Sequence, residues 1–159
     1  MLRSAIFTGA GIPHAYLEGN IVECMANSDN VVRAGLTNKF KDVDTLLDIV
    51  RYEFKNYEII NEECASDGVV FKTSAEEFEL VLNKKEKGYS QNYKTINKPV
   101  VILILEGSLK VENITTESKF SEKYMKGESF LIPALLNEFS LVCEMDSKFV
   151  VVKIPDSDF

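Results

Sequence analysis

The chain has 159 residues, 45% of them hydrophobic, enough for one packed domain or for a small domain plus part of another. Its formal charge of −7 repels phosphate backbones and anionic membrane surfaces, and no stretch gathers enough lysine or arginine to reverse that sign, which argues against nucleic acid and membrane as partners. Apolar runs such as Val100 to Leu105 are far shorter than the ~20 residues a bilayer span requires, and Met1-Leu2-Arg3-Ser4 opens no signal-peptide pattern, so a cytoplasmic protein is expected. Cys24, Cys64 and Cys143 are odd in number, widely spaced and free of any Cys-x-x-Cys pair, which reads as reduced thiols.

In chain order, Arg3 to Thr8 is a short β-prone run, and Asn20 to Met25 alternates as a second strand after a Leu17-Glu18-Gly19-Asn20 turn. Ser28 to Lys41 is polar and aperiodic, and is expected as a loop. Asp42 can cap a helix from Val43 to about Phe54, since Val43, Leu46, Leu47, Val50 and Phe54 share one face. Lys55 to Asp67 is mixed and polar, and the predicted domain boundary falls there: 1–60, then 61–159.

From Gly68 onward the pattern is β: Val69–Thr73, Glu77–Leu82, Val100–Leu105, Ser108–Glu112, Ser129–Ile132, Phe139–Val142 and Phe149–Ile154, the spacing of a sandwich or barrel. Glu106-Gly107 is expected to close a tight hairpin, because glycine tolerates the positive φ such turns need. In "KGESFLIPA", Lys126 to Ala134, a strand should run between a glycine turn and a proline that stops it.

The segment richest in chemistry is residues 13–39, "PHAYLEGNIVECMANSDNVVRAGLTNK". It holds the chain's single histidine, His14, with Glu23, Arg33 and Lys39. On residue type alone each has two readings. His14 is a turn residue or one ligand of a metal that commonly needs four protein donors, or three plus water. Glu23, Arg33 and Lys39 are solvated surface charges, or else groups that bind a phosphate or a developing oxyanion. His14 and Glu23 converge only if the Gly19 turn folds their segments together.

"PHAYLEG" followed by "VECMANSDNVVRAGLTNKFKDV" resembles the signature region of type I phosphomannose isomerase, a zinc enzyme of the cupin superfamily. The resemblance is dense over residues 9–47 and continues loosely through "AEEFEL", "ILEGSL" and "GESFLIPA". It implies aldose–ketose isomerisation of mannose 6-phosphate and fructose 6-phosphate through a cis-enediol, in the route to GDP-mannose. It also implies zinc held by a glutamine, two histidines and a glutamate, with His14 as the last of these ligands. Arg33 would be the active-site arginine that stabilises the enediolate or holds the sugar phosphate, with Glu23 and Lys39 as polar or acid–base support.

The family pattern is only partly present. Its other three zinc ligands lie upstream of the PHAYL segment, and the chain has no second histidine to replace them. The expected architecture is therefore mainly β: a cupin jelly roll with one short helix, preceded by the closing strands of an incomplete catalytic cupin. In the second cupin "GESFLIP" lacks the superfamily's metal histidine, and Glu138 alone would not hold zinc. The resemblance makes the chain a C-terminal part, inactive alone, with zinc belonging to the complete enzyme and absent or weakly bound here. A sugar phosphate is the expected small-molecule partner, and exposed strand edges invite self-association. A non-catalytic cupin module that binds a sugar or sugar phosphate is the alternative.

Overall fold

The structure is a computed structural model that describes residues 4–28, 30–53, 57–65, 68–113 and 120–155. It divides into two compact units, Met1–Asn61 and Glu62–Phe159.

The second unit contains every strand of the described residues. A six-stranded antiparallel sheet has the order β1 (Glu63–Ala65), β2 (Gly68–Val70), β3 (Glu79–Lys85), β10 (Ser147–Lys153), β5 (Val100–Glu106), β8 (Ser129–Ile132). A four-stranded sheet has the order β4 (Ser90–Lys94), β9 (Glu138–Cys143), β6 (Ser108–Asn113), β7 (Ser121–Met125). Alternation decides which side chains face inward. In β5, Val100, Ile102 and Ile104 are buried while Val101 is exposed, the period of two expected of a half-covered sheet. Ile102, Ile104 and Phe149 of the first sheet join Leu109, Val111, Phe139 and Leu141 of the second in one core. Each such side chain contributes about 1.5–3 kcal/mol on burial.

Two expectations about this unit change. Glu106-Gly107 does not close a hairpin: β5 pairs with β10 and β8, whereas β6 pairs with β7 and β9. Gly107, at φ +81°, instead turns the chain from one sheet into the other. A Cβ there would sit 2.3 Å from the Asp146 carbonyl oxygen, so the backbone approaches too closely for any side chain. Second, β1, β4 and β7 are strands that the sequence pattern does not announce. All three lie at sheet edges, where little is buried and the apolar alternation is lost. β4 and β7 are anchored by single tyrosines, with Tyr93 stacked on Phe139 and Tyr124 stacked on Phe130. The KGESFLIPA segment behaves as expected: Gly127 turns at φ +87°, β8 follows, and Pro133 precedes a 3-10 turn over Ala134–Leu136.

The first unit is built differently. Its helix, α1 (Val43–Ile49), starts where expected: Asp42 accepts from the Thr45 N–H at 3.1 Å and the Thr45 hydroxyl at 2.8 Å. These two bonds hold the Asp42 carboxyl below its ordinary pKa. The helix is shorter than its apolar periodicity. Val50 is extended, and the Arg51 N–H donates to the Gly11 carbonyl at 2.8 Å instead of continuing the helical ladder. The expected end at Phe54 lies outside the described residues. Nor is the apolar stripe covered, since Val43 and Leu47 are exposed and no residue of α1 is buried.

The two N-terminal strands expected from the sequence are not strands. Arg3 lies outside the described residues, and residues 4–8 make one isolated bridge, Ala5 to Ile60. Asn20 to Met25 alternates in exposure, yet pairs with nothing among the described residues. An extended segment becomes a strand only when a second backbone takes its N–H and C=O groups, and among the described residues only the single Ala5–Ile60 bridge does so here. The loop expected over Ser28 to Lys41 holds no regular element, Asp29 lying outside the described residues.

Candidate functional site

The site segment is organised by the turn at Glu18-Gly19, where Gly19 adopts φ +124°. Across it the Tyr16 hydroxyl donates to Glu23 Oε1 at 3.0 Å. Partial desolvation, then the negative charge and hydrogen bond of Glu23, raise the Tyr16 pKa above the ordinary phenol value. His14 meets Tyr16 edge-on, with ring centroids 5.7 Å apart. The turn thus joins His14 and Glu23 through Tyr16, which the residue-by-residue reading of the sequence did not single out. Its only signal there was position, two residues after His14 and seven before Glu23 on opposite sides of a glycine turn.

The imidazole is exposed, and its Nδ1 lies 3.0 Å from the Ile12 carbonyl oxygen. With the proton on Nδ1 that bond fixes the ring and leaves the Nε2 lone pair directed elsewhere, the usual arrangement of a metal-binding histidine. One imidazole is not a zinc site, however. Among the described residues no three His, Cys, Asp or Glu side chains gather in a way that could hold a metal ion. His14 fits as one donor; the described residues do not by themselves fit the metal.

Arg33 and Lys39 are exposed in the following loop. Among the described residues no hydrogen bond or ion pair ties either side chain to His14, Tyr16 or Glu23. The loop is held locally: the Lys39 N–H donates to Thr37 Oγ1 at 3.2 Å and Lys41 Nζ donates to the Thr37 carbonyl at 2.9 Å. Cys24, Cys64 and Cys143 are free, and burial raises the Cys143 thiol's pKa. Glu138 pairs with Lys94 at 3.2 Å. The second unit has an apolar groove of about 210 Å³ walled by Val111, Phe120, Tyr124, Phe130 and Leu136, and none of the described residues that line it is charged.

No protein-family model matches the chain. Among curated proteins, the mannose-6-phosphate isomerase of Cryptococcus neoformans is 38% identical over 122 residues, 73% of this chain and 28% of that protein. The probable mannose-6-phosphate isomerase of Echinococcus multilocularis is 71% identical over 48 residues, 30% of this chain and 11% of that one. This chain is a relative of the mannose-6-phosphate isomerases. It spans about 30% of the length of the first curated relatives. Among solved structures, the Salmonella typhimurium mannose 6-phosphate isomerase bound to fructose 6-phosphate and zinc superimposes with a TM-score of 0.61 at 22% identity, over 83% of this chain and 32% of that one. At that identity the likeness speaks for the fold, which is the cupin fold of the mannose-6-phosphate isomerases. No helix of the described residues is long and apolar enough to cross a membrane.

Proposed function

We propose that this chain is the C-terminal part of a mannose-6-phosphate isomerase, with residues 1–60 belonging to its catalytic cupin and residues 61–159 forming the second cupin. It supplies one imidazole and one guanidinium to a reaction centre whose other groups come from sequence outside the chain, and it has no turnover alone. The observation that carries this reading is His14, solvent-facing, held at Nδ1 by Ile12 and set beside the Tyr16–Glu23 pair.

The chemistry asks for little more from these residues. Moving a proton between C1 and C2 of a sugar phosphate places negative charge on oxygen as the enediolate forms. A permanently charged guanidinium stabilises that charge, or holds the phosphate, at any physiological pH, which is the role given to Arg33. Glu23, with one oxygen engaged by Tyr16, keeps its other oxygen for a sugar hydroxyl or a proton in transit, and Lys39 adds a second cation. His14 is assigned as a single ligand of the complete enzyme's zinc.

The test replaces the matching segment of the Cryptococcus neoformans isomerase with this chain and measures fructose 6-phosphate formation and zinc content. Turnover is expected, with a loss of at least ~100-fold in kcat on Arg33→Ala and loss of zinc on His14→Ala. A folded chimera that turns over normally with Arg33→Ala, or retains zinc with His14→Ala, would remove those residues from the site.

A further inference from the structure

Tyr16 touches two of the groups assigned to the reaction centre. Its hydroxyl donates to Glu23 Oε1 at 3.0 Å, and its ring meets the His14 imidazole edge-on, with centroids 5.7 Å apart and 63° between the planes. Tyr16 and Glu23 stand seven residues apart, and the chain between them turns at Gly19, whose φ of +124° favours glycine. Both side chains are exposed, so no packed wall holds the carboxylate in place. A glutamate in such a position samples several rotamers and gives up that freedom only where a specific bond holds it. Among the described residues the Tyr16 hydroxyl supplies that bond, and neither Arg33 nor Lys39 makes an ion pair that would do so instead.

We infer that Tyr16 is a positioning residue of the isomerase centre, which fixes Glu23 so that one carboxylate oxygen is engaged by the phenol and the other alone is presented to the sugar phosphate. The inference rests on the proposed function and adds to it the group that aims the acid–base residue. A phenol carries one proton, and here that proton is directed at the carboxylate, so Tyr16 acts through Glu23 and not on the substrate. Aim matters for this chemistry, because a group that carries a proton between adjacent carbons works only within hydrogen-bond reach of the atoms it serves. Ring and hydroxyl have separate tasks: the ring lies against His14, the hydroxyl holds Glu23. Removing the hydroxyl alone therefore frees the carboxylate and spares the imidazole, which distinguishes positioning from a packing role.

The test uses the chimera in which this chain replaces the matching segment of the Cryptococcus neoformans isomerase, together with the full chain by itself. In the chimera Tyr16→Phe should lower kcat by about 10–100-fold, with KM for mannose 6-phosphate changed less than about threefold and zinc content unchanged. In a Glu23→Ala background the same substitution should cost no more than about twofold further, because the group it aims is gone. In the full chain, scalar couplings should report one Glu23 χ1 rotamer, and averaged values in Tyr16→Phe. Normal kcat in Tyr16→Phe, a loss that multiplies with that of Glu23→Ala, zinc released along with the hydroxyl, or a Glu23 side chain already averaged with Tyr16 in place would each overturn the inference. A chimera without turnover, in a chain whose Glu23 couplings still respond to Tyr16→Phe, keeps the positioning bond and counts against the proposed function, so the two fail separately.

Discussion

Replacing Gly107 with alanine puts a methyl group into the tightest backbone approach in the second unit. Two costs combine there. At φ +81° an L-residue loses roughly 1–2 kcal/mol from contact between Cβ and its own backbone. The added Cβ would also lie 2.3 Å from the Asp146 carbonyl, 2.5 Å from Ser147 Oγ and 2.9 Å from Ser147 Cα. Two of these are backbone atoms at the entrance to β10, so relief requires moving a central strand, at about 1–3 kcal/mol typical of overpacking. The serine cannot step aside freely: its hydroxyl donates to the Ser108 carbonyl at 2.9 Å and accepts from the Ser108 N–H at 3.1 Å. The expected loss is about 2–5 kcal/mol, or a fall in Tm on the order of 10–30 °C for a domain of this size. Gly88→Ala is the internal control, because Gly88 has nearly the same φ, +86°, and nothing within 4 Å of its would-be Cβ. It should lose about 1–2 kcal/mol only. Thermal and urea denaturation of both variants decide the matter, and equal losses would refute the claim that Gly107 is a sterically closed crossing between sheets.

Three further outcomes are expected. Phe149→Ala, at a fully buried position, should cost about 3–5 kcal/mol, and Leu47→Ala, on the open face of α1, less than about 0.5 kcal/mol in the isolated chain; urea midpoints of comparable size would contradict the uneven packing of the two units. Tyr124 donates to Glu122, whose carboxylate with partial burial pushes its pKa up to about 12. Because the folded state holds this proton longer than the unfolded chain, its contribution is intact below about pH 10 and is lost as pH rises toward 12; Tyr124→Phe should remove the latest step of the tyrosinate absorbance titration, and an unchanged titration would show the pair does not form. Asp42→Ala should lower the helical signal near neutral pH, and in the unsubstituted chain acid should reproduce that loss only as pH falls through the depressed Asp42 pKa; insensitivity to both would mean that α1 does not depend on its cap.

Which parts of this fold a sequence reveals follows from where each segment is buried. β5, β8, β9 and β10 alternate or run apolar because one or both faces meet the core, and the sequence pattern records that contact. "ECA", "SQNYK" and "SEKYM" lie at edges, carry at most one anchoring aromatic, and give no periodic signal. At Gly107 the residue correctly announces a positive φ, but not whether the two strands it joins share a sheet. The start of α1 is legible in Asp42, while its end is set by a bond to Gly11, some 40 residues away in sequence, that no local pattern encodes. In the candidate site, His14, Glu23, Arg33 and Lys39 stand out by type and by resemblance to a known signature. Tyr16 does not, because its part is to bridge His14 and Glu23, and a bridge is visible only once the Gly19 turn has folded.

The claim at the centre is that His14 is a single donor parted from the rest of its metal site. Zinc titration of the purified full chain near neutral pH, followed by direct metal analysis after dialysis and an assay with mannose 6-phosphate, examines it most directly. One imidazole should hold zinc too weakly to survive dialysis and should give no fructose 6-phosphate. Stoichiometric zinc retained through dialysis, lost with His14→Ala and accompanied by turnover, would mean that the chain carries a complete site and that the division proposed here is wrong.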